Sequence, residues 1–252
     1  MIIATTRATR LVERNVLVYR HTWMILFSGF FEPVFYLFSI GIGLGHLVGT
    51  VNGVPYRTFV APALMASSAM NGATLESTMN IFHKLKYAKI YDAVLATPVD
   101  VDDVALGEIS WCLIRGALYG AAFLVVMSVM GLVASPWGLL ALPAAVLIAF
   151  AFAACGMAAT TFVRTWADFE IVQLALVPLF LFSATFFPLS TYKPPVQVLV
   201  QLTPLYHGVT LIRSLTTGDV SAVLLVHIAY LVVMGMIGLT ITSRRLARLL
   251  LQ

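Results

Sequence analysis

Four ionisable side chains lie inside long apolar stretches of the chain, and they are the residues best placed to do chemistry. They are Glu32, Glu76, Glu108 and Arg115. A charged side chain near the centre of a bilayer costs about 2.5–3.5 kcal/mol on insertion scales, so each of them needs a structural or functional reason. Carboxylates and a guanidinium in such surroundings could relay protons, contact a passing substrate, or pair with one another.

Depth in the apolar stretches predicts which of these charges meet. Glu32 follows about ten residues of the first stretch, or ~15 Å of helix at ~1.5 Å per residue, and Arg115 lies at a similar depth in the third. The sequence therefore predicts a pair between Glu32 and Arg115 near mid-bilayer. Two interpretations stay open: an ion pair that fixes helix register, or a direct role in substrate movement. Glu76 and Glu108 are nearer the ends of their stretches, where water is expected to reach them.

Aromatic side chains are concentrated in the first and fifth apolar stretches. Phe31 and Phe35 lie on either side of Pro33, which removes a backbone hydrogen bond and is expected to kink its helix. Phe182 and Phe186 lie in the fifth stretch. These four phenylalanines are candidates for the wall of a substrate path. Ordinary helix packing or contact with lipid is the alternative explanation.

Motifs typical of enzymes are missing from the sequence. It contains no phosphate-binding loop of the form G-x-x-x-x-G-K-[ST], no H-E-x-x-H, no C-x-x-C and no G-x-S-x-G. Cys112 and Cys155 both lie in apolar stretches, where cysteine typically packs as a small apolar residue. The sequence therefore predicts no catalytic, cofactor-binding or metal site, and the chain is not expected to hydrolyse ATP itself.

Composition indicates a helical membrane protein. Hydrophobic residues make up 60% and charged residues 10% of the 252 residues, and the mean hydropathy is +0.96, far from the composition of soluble domains. A membrane barrel would instead show alternating segments of ~10 residues. We predict one all-α, polytopic domain, 1–252, with six spans near the ~20-residue length that a bilayer requires. They are expected at about 22–47, 58–82, 104–131, 137–162, 169–188 and 221–242.

Basic residues predict how the chain is oriented. Arg7, Arg10 and Arg14 share one face of the first helix, opposite an apolar face, which is the pattern of a helix lying in an anionic membrane surface. By the positive-inside rule both termini and the loop after the second span face the cytoplasm. The chain is thus divided into an interfacial helix, a six-span bundle and a basic cytoplasmic tail at 1–21, 22–242 and 243–252. The basic residues lie at span ends rather than in one patch, so no nucleic-acid partner is predicted.

The longest polar interruption, Lys84–Glu108, contains a helical stripe. Apolar side chains recur there at i, i+3, i+4, i+7 and i+8, at Tyr87, Ile90, Tyr91, Val94 and Leu95. Pro98 ends that helix because proline disfavours helical geometry in the residue before it, and the acidic residues that follow suit the start of another helix. The sequence predicts a short amphipathic helix between two spans. It either docks a soluble partner or rests on lipid headgroups.

A second unusual segment, residues 189–220, contains two apolar pieces that are each too short to cross a membrane. They are Val196–Leu202 and Val209–Leu215, separated by Thr203 and Pro204. Such pieces predict re-entrant or interfacial half-helices at the outer face.

Five of these features follow one another in the order found in a known family. They are the N-terminal amphipathic helix and the stretches Glu32–Gly45, Tyr91–Glu108, Phe182–Leu189 and Pro204–Leu215. The most specific pieces are Ala96-Thr97-Pro98 and the Phe-Phe-Pro run at 186–188. The chain resembles the ABC type-2 export permeases over nearly its whole length. It is most similar to the branch of nodulation lipo-oligosaccharide exporters and daunorubicin-resistance-type drug exporters.

The resemblance implies a division of labour between subunits. The helix at about 86–97 would be the coupling helix, which seats in a groove of a separate ABC ATPase. Contacts with that ATPase are expected from Tyr87, Ile90, Tyr91, Val94, Leu95 and Pro98. ATP and Mg would be bound by the ATPase, and no cofactor by this chain. Two permease chains, identical or similar, and two ATPases would work together among the lipids of a bacterial plasma (inner) membrane.

The function that the resemblance implies is ATP-driven export of an amphipathic substrate, such as a lipid-linked sugar, a glycolipid or a drug. The substrate would pass between the two permeases, along a path to which spans one and five contribute. A proton-coupled carrier or channel that uses the four intramembrane charges as a relay is the alternative. Its transport would persist without ATP and would depend on the proton gradient.

Overall fold

The chain is built almost entirely of helices. The computed structural model describes residues 2–20, 31, 34–51 and 53–250. A π-helical segment, Leu37–Leu44, leads into α2, and a two-residue hairpin pairs Thr50–Val51 with Val54–Pro55. The helices are α1 (Ile2–Tyr19), α2 (Gly45–Val48), α3 (Tyr56–Leu75), α4 (Ile90–Leu95), α5 (Val101–Val129), α6 (Ala141–Thr160), α7 (Phe169–Phe182), α8 (Pro194–Leu202), α9 (Pro204–Thr217) and α10 (Leu224–Leu250). Short 3-10 turns precede α6, α7 and α8 at Pro136–Leu140, Trp166–Asp168 and Leu189–Thr191.

Three of the described helices are long and apolar enough to cross a membrane. They are Val101–Val129, Pro136–Thr160 and Leu224–Leu250, and they lie where the sequence predicts the third, fourth and sixth spans. The last of them continues to Leu250, so the basic residues assigned to a tail lie on its final turns. A shorter apolar helix, Val34–Val48, covers part of the first predicted span. The earlier part of that span falls largely outside the described residues.

The second and fifth predicted spans each differ from the prediction at one end. After α3 the chain continues through two π-helical turns, Glu76–Asn80 and His83–Tyr87, so it is helical throughout 56–87. Conversely, α7 stops at Phe182 instead of reaching residue 188. Ala184 has a φ of 56°, a left-handed geometry that a right-handed helix does not include.

Two short helices, α8 and α9, occupy the segment where the sequence predicts half-helices. Thr203 is extended and lies at the boundary between them, and Pro204 begins α9, a position that suits proline. The apolar face of α9 is buried against the bundle through Leu205, Val209 and Ile212.

Small residues let the long helices approach one another closely. A side chain at Gly116 of α5 would collide with Ala149 of α6, and one at Gly238 of α10 would lie 2.7 Å from the backbone of Ala154. Membrane helices gain little from the hydrophobic effect when they associate, so close backbone contact supplies much of their packing. These crossings hold α5, α6 and α10 in one bundle.

The two largest clusters of buried apolar side chains in the described residues divide the bundle along its length. The larger joins α3, α5, α6 and α9 and contains Phe123 and Ile148. The smaller brings together Leu11 of α1, Tyr91 of α4 and Leu246 of α10. Both chain termini therefore come to the same end of the bundle, which we call the terminal end.

Candidate functional site

A group of buried charges lies near the terminal end of the bundle. Glu76 and Glu108 are fully buried, and Lys84 and Arg115 are only 8% and 5% exposed. Two acids and two bases balance, so the four residues carry no net formal charge. We call them, with the neutral side chains bonded to them, the charge cluster. Its neutral members are Asn15, Tyr19, Asn80, Tyr91 and Tyr119.

One half of the charge cluster is built on Glu76, the first residue of the π turn after α3. Its carboxylate is paired with the guanidinium of Arg115. It also accepts hydrogen bonds from Asn80 Nδ2 at 2.7 Å and from the Tyr19 hydroxyl at 3.0 Å. Arg115 in turn donates to the hydroxyl of Tyr119 at 2.8 Å. This half therefore ties α1 and α5 to the helical extension of α3.

The other half is built on Glu108 of α5. Its carboxylate accepts hydrogen bonds from Lys84 Nζ at 2.7 Å, Asn15 Nδ2 at 3.1 Å and the Tyr91 hydroxyl at 3.1 Å. Lys84 also donates to Asn15 Oδ1 at 3.2 Å. Burial and the adjacent Glu108 carboxylate raise the pKa of Tyr91 well above its ordinary value, so its hydroxyl stays protonated and donates. This half connects α4 to the rest of the bundle.

The structure gives Arg115 a partner other than the predicted one. Its guanidinium is paired with Glu76, whereas Glu32 lies outside the described residues. The expectation that water reaches Glu76 and Glu108 is wrong, since both are fully buried. Side chains from α1 and α4 exclude water from both carboxylates. The depth of a residue along its span does not show which other helices pack over it.

Sequence reasoning missed five members of the charge cluster, although a signal for most of them was present. Glu76, Asn80 and Lys84 are spaced four residues apart, so they lie on one face of a helix that continues past α3. Asn15 and Tyr19 have the same spacing on α1. The sequence instead predicts Lys84 in a cytoplasmic loop, because the second span is expected to end before it. The fifth, Tyr119, lies one turn beyond Arg115 on α5.

The segment predicted to be a coupling helix folds as two pieces. The π turn that follows α3 ends at Tyr87, and α4 begins only at Ile90. Lys89 between them has a φ of 46°, which turns the chain out of a helical path. The prediction of one continuous stripe is therefore wrong for Tyr87, its first residue, which lies on the preceding π turn and not on α4. Tyr87 is 57% exposed and stacks on Trp166, with ring centroids 5.6 Å apart.

Helix α4 presents one face to the bundle and another to solvent. Tyr91 is fully buried in the charge cluster, while Ile90, Val94 and Leu95 are half-buried. The exposed face consists of Asp92, Ala93, Ala96, Thr97 and Pro98. Of the predicted contact residues on or after α4, only Pro98 is therefore fully available to a partner.

The acidic residues after Pro98 start the next helix as predicted. Asp100 precedes α5, its side chain accepts from the backbone of Asp103, and the Asp103 carboxylate accepts from the Asp100 backbone N–H at 3.1 Å. This reciprocal arrangement satisfies backbone donors that the first turn of a helix leaves unpaired. It fixes the point where the chain returns from α4 to the bundle.

A groove of about 990 Å³ lies between the first apolar helix, α3 and α7. Most of its wall is apolar, with Ile40, Leu64, Leu75, Leu176, Phe180 and Phe187 among the lining residues. Polar side chains interrupt that wall on both sides, at Ser67 and Asn71 of α3 and at Gln173 of α7. The groove thus combines a long apolar surface with a few hydrogen-bonding groups.

Only one of the four phenylalanines predicted to line a path lines this groove, namely Phe186. Phe31 and Phe35 stack on each other with centroids 6.0 Å apart, and Phe182 is half exposed. On α7 the lining residue is instead Phe180. Two residues correspond to ~200° around a helix of ~3.6 residues per turn, so Phe182 and Phe180 face opposite ways.

Arg213 of α9 closes the end of the bundle away from the charge cluster. Its guanidinium donates to the backbone carbonyls of Phe59 at 3.1 Å and Ala184 at 2.9 Å, and it lies over the Phe59 ring. These bonds join α9 to α3 and to the turn after α7. Arg213 therefore holds α9 against the end of the groove-forming elements.

Two buried histidines meet between α9 and α10. The Nδ1 atoms of His207 and His227 are 2.7 Å apart, and the ring of Tyr230 stacks on His207. A neutral imidazole offers one donor and one acceptor, so the pair forms a single hydrogen bond that links the two helices. Within the ranges that the structure covers, no three His, Cys, Asp or Glu side chains come close enough to hold a metal ion.

Comparison of this sequence with known proteins finds a family model and several relatives that match most of the chain. The family described as ABC-2 type transporter matches residues 7–217. Nodulation protein J of Sinorhizobium fredii is 34% identical over 221 residues, covering 87% of this chain and 84% of the relative. Nodulation protein J of Rhizobium leguminosarum bv. viciae is 31% identical over 242 residues, covering 94% and 93%.

A more distant relative carries an explicit transport name. The inner membrane transport permease YadH of Escherichia coli is 24% identical over 181 residues, covering 69% of this chain and 68% of the relative. The family match spans most of the chain, including every member of the charge cluster and every lining residue of the groove. The chain therefore belongs to the ABC-2 type transporter family, as a permease subunit of an ABC transporter whose ATP hydrolysis takes place on a separate protein.

Proposed function

We propose that this permease moves an amphipathic molecule outward, of the class of lipid-linked sugars, glycolipids or amphipathic drugs. The groove is the observation that carries the proposal. Its apolar wall suits a hydrocarbon chain, and the few polar side chains at Ser67, Asn71 and Gln173 suit a sugar or another polar headgroup. At about 990 Å³ it has room for a substantial part of such a molecule.

The chain crosses a bacterial inner membrane six times in this proposal, with both termini in the cytoplasm. Three arginines on α1 and three more on the last turns of α10 lie at the terminal end, and the positive-inside rule assigns such an end to the cytoplasm. The charge cluster and α4 then lie on the cytoplasmic side. The short helices α8 and α9 lie at the outer face, where Arg213 holds α9 across the exit.

The ABC ATPase docks on the exposed face of α4, between Asp92 and Pro98. ATP and Mg bind to the ATPase and not to this chain. Several observations support this site. The face is short, exposed and small in its side chains, and α4 is firmly attached to the bundle through Tyr91. A segment that is exposed on one side and anchored on the other can transmit a movement of a soluble partner to the membrane helices.

A second permease chain, identical or similar, faces the groove and completes the path. Phe35 and Phe182 lie on the elements that flank the groove and are 65% and 51% exposed. A partner chain packed against these two side chains would cover the groove. Membrane lipid surrounds the remaining faces.

Asn71→Leu is expected to lower transport of a glycolipid while leaving the protein folded. The change removes a hydrogen-bonding group from the groove wall, and a lost hydrogen bond costs about 0.5–1.5 kcal/mol, or roughly a 2- to 13-fold loss of transport. The measurement is ATP-dependent movement of a fluorescently labelled glucosyl lipid in proteoliposomes that contain the permease and its ATPase.

Thr240→Leu is the matched control, because Thr240 is exposed on α10 and donates only to the Met236 carbonyl of its own helix. It is expected to transport normally. Equal transport by the Asn71 and Thr240 variants would show that the substrate does not pass along this groove.

The charge cluster is the observation that favours the alternative, a proton-coupled carrier. Its geometry speaks against that role, because its acids and bases are paired with one another and none of them lines the groove. Transport that continues without ATP and collapses with the proton gradient would favour the carrier.

A further inference from the structure

Lys84 lies between two carboxylates that belong to different parts of the bundle. Its ammonium is 2.7 Å from Glu108 Oε2 on α5 and 3.9 Å from Glu76 Oε1 on its own helix. At 8% exposure, water has little access to either contact. Lys84 therefore makes ion contacts in both halves of the charge cluster.

The helix that carries Lys84 is wound in a way that can change. Glu76 begins one π turn, and Lys84 lies in the next, His83–Tyr87. A π turn contains about one residue more than an α turn, and such turns are frequent at functional sites. Rewinding one of them as an α turn would move the residues below it by about one position, which is ~1.5 Å along the axis and ~100° around it. Lys84 can thus leave Glu108 while its segment stays helical.

If Lys84 releases Glu108, the lysine still has a carboxylate close by, but Glu108 loses its cationic partner. Glu108 keeps its hydrogen bonds from Tyr91 and Asn15, and Lys84 still has the carboxylate of Glu76 close by. Breaking a buried ion pair is normally strongly destabilising, because an uncompensated charge remains. The arrangement in which Lys84 is released is therefore higher in energy, and the displacement of α4 has to supply the difference.

The charge cluster is attached to α4 at one side and to the groove at the other. Tyr91 of α4 donates to Glu108, so a displacement of α4 acts on the carboxylate that holds Lys84. Above the cluster, Asn71 and Leu75 line the groove. Leu75 is the direct neighbour of Glu76 in the chain.

We propose that Lys84 is the coupling residue of this permease. When α4 is displaced, the ammonium of Lys84 moves from Glu108 to Glu76, and the helix beneath the groove rewinds. Coupling between distant sites requires an element with two arrangements that both sites bias. The shared lysine and its π turns are that element. The proposal rests on the proposed function, because the bound ATPase supplies the displacement of α4.

The paired variant Lys84→Met with Glu108→Gln tests the exchange without leaving a buried charge. Glutamine keeps one acceptor oxygen for the Tyr91 hydroxyl, and its amide N–H can donate to the Asn15 carbonyl oxygen that Lys84 no longer uses. Methionine fills the space of the lysine stem. We expect this variant to assemble with its ATPase, to unfold at an unchanged temperature and to hydrolyse ATP. Movement of the fluorescent glucosyl lipid per ATP hydrolysed is expected to fall at least tenfold. Lys86→Met is the matched control, since Lys86 is exposed and lies two residues away.

A second variant decides the question if the paired variant does not assemble. Tyr91→Phe removes only the hydroxyl that holds Glu108, and we expect a threefold or greater loss of lipid moved per ATP with unchanged assembly. Tyr87→Phe, at an exposed tyrosine, is expected to leave the ratio unchanged. If the paired variant assembles and moves as much lipid per ATP as the wild type, the coupling role is overturned but the proposed function is not. If the paired variant does not assemble, unchanged transport per ATP in Tyr91→Phe has the same consequence. A wild-type complex that shows no ATP-dependent transport overturns the proposed function, and the coupling role with it.

Discussion

Glu108→Leu is expected to prevent the permease from reaching a stable folded state. The change leaves the buried ammonium of Lys84 without its 2.7 Å partner and removes the acceptor of Asn15 and Tyr91. Removing one partner of a buried ion pair costs about 3–5 kcal/mol, a large part of the 5–15 kcal/mol that typically separates folded from unfolded protein. The measurement is the yield of monodisperse protein in detergent and its unfolding temperature.

Adding Lys84→Met to that variant is expected to restore much of the lost stability. The second change removes the stranded charge and fills the site with a side chain of similar length, so the two effects are not additive. Asp102→Leu is the matched control, because Asp102 is exposed one turn and a half earlier on α5. If Glu108→Leu unfolds at the same temperature as the Asp102 variant, the charge cluster does not hold the terminal end together.

Ala93→Arg is expected to abolish association with the ABC ATPase. Ala93 lies in the middle of the exposed face of α4, and an arginine there places an unpaired charge inside the docked interface. Burying a polar group without a partner costs about 1–3 kcal/mol in proteins, and a charge costs more. A loss of 2 kcal/mol or more corresponds to at least ~30-fold weaker binding, since each 1.4 kcal/mol is about tenfold. Co-purification of the ATPase with tagged permease is the measurement.

An arginine introduced at the other end of the bundle is the control for docking. Thr50→Arg lies in the exposed hairpin before α3, and it is expected to leave the ATPase bound. Retention of the ATPase by Ala93→Arg would mean that α4 is not the docking surface. In that case the basic face of α1 would be the next surface to test.

Much of the fold could be predicted because the bilayer restricts what an apolar sequence can do. Long apolar stretches indicated α5, α6 and α10, and the proline after Thr203 indicated where α8 gives way to α9. The ends of elements were harder. The spacing of Glu76, Asn80 and Lys84 is the one mark of a helix that continues past α3, and it does not reveal the π turns. Nothing in the Phe182 stretch signals the left-handed geometry of Ala184. Such ends depend on tertiary contacts that outweigh local preference.

The candidate site was predicted as a set of residue types more than as a geometry. Glu76, Glu108 and Arg115 were singled out because charge in a span is costly, and all three are in the cluster. Their partners depend on rotation about helix axes, which depth does not determine, so the pairing of Arg115 with Glu76 was not foreseen. Asn15 and Tyr19 reach the cluster from α1. They are far from Glu76 and Glu108 in the sequence, so their spacing does not predict the contact.

Transport by purified components tests the central claim most directly, namely that this chain is a permease driven by a partner that acts through α4. Proteoliposomes would hold the permease alone, the permease with its ATPase, or the Ala93→Arg permease with the ATPase, and movement of a fluorescent glucosyl lipid would be followed after adding ATP. We predict movement only in the second preparation. Movement at the same rate by the permease alone, or movement driven by a proton gradient without ATP, would contradict the account.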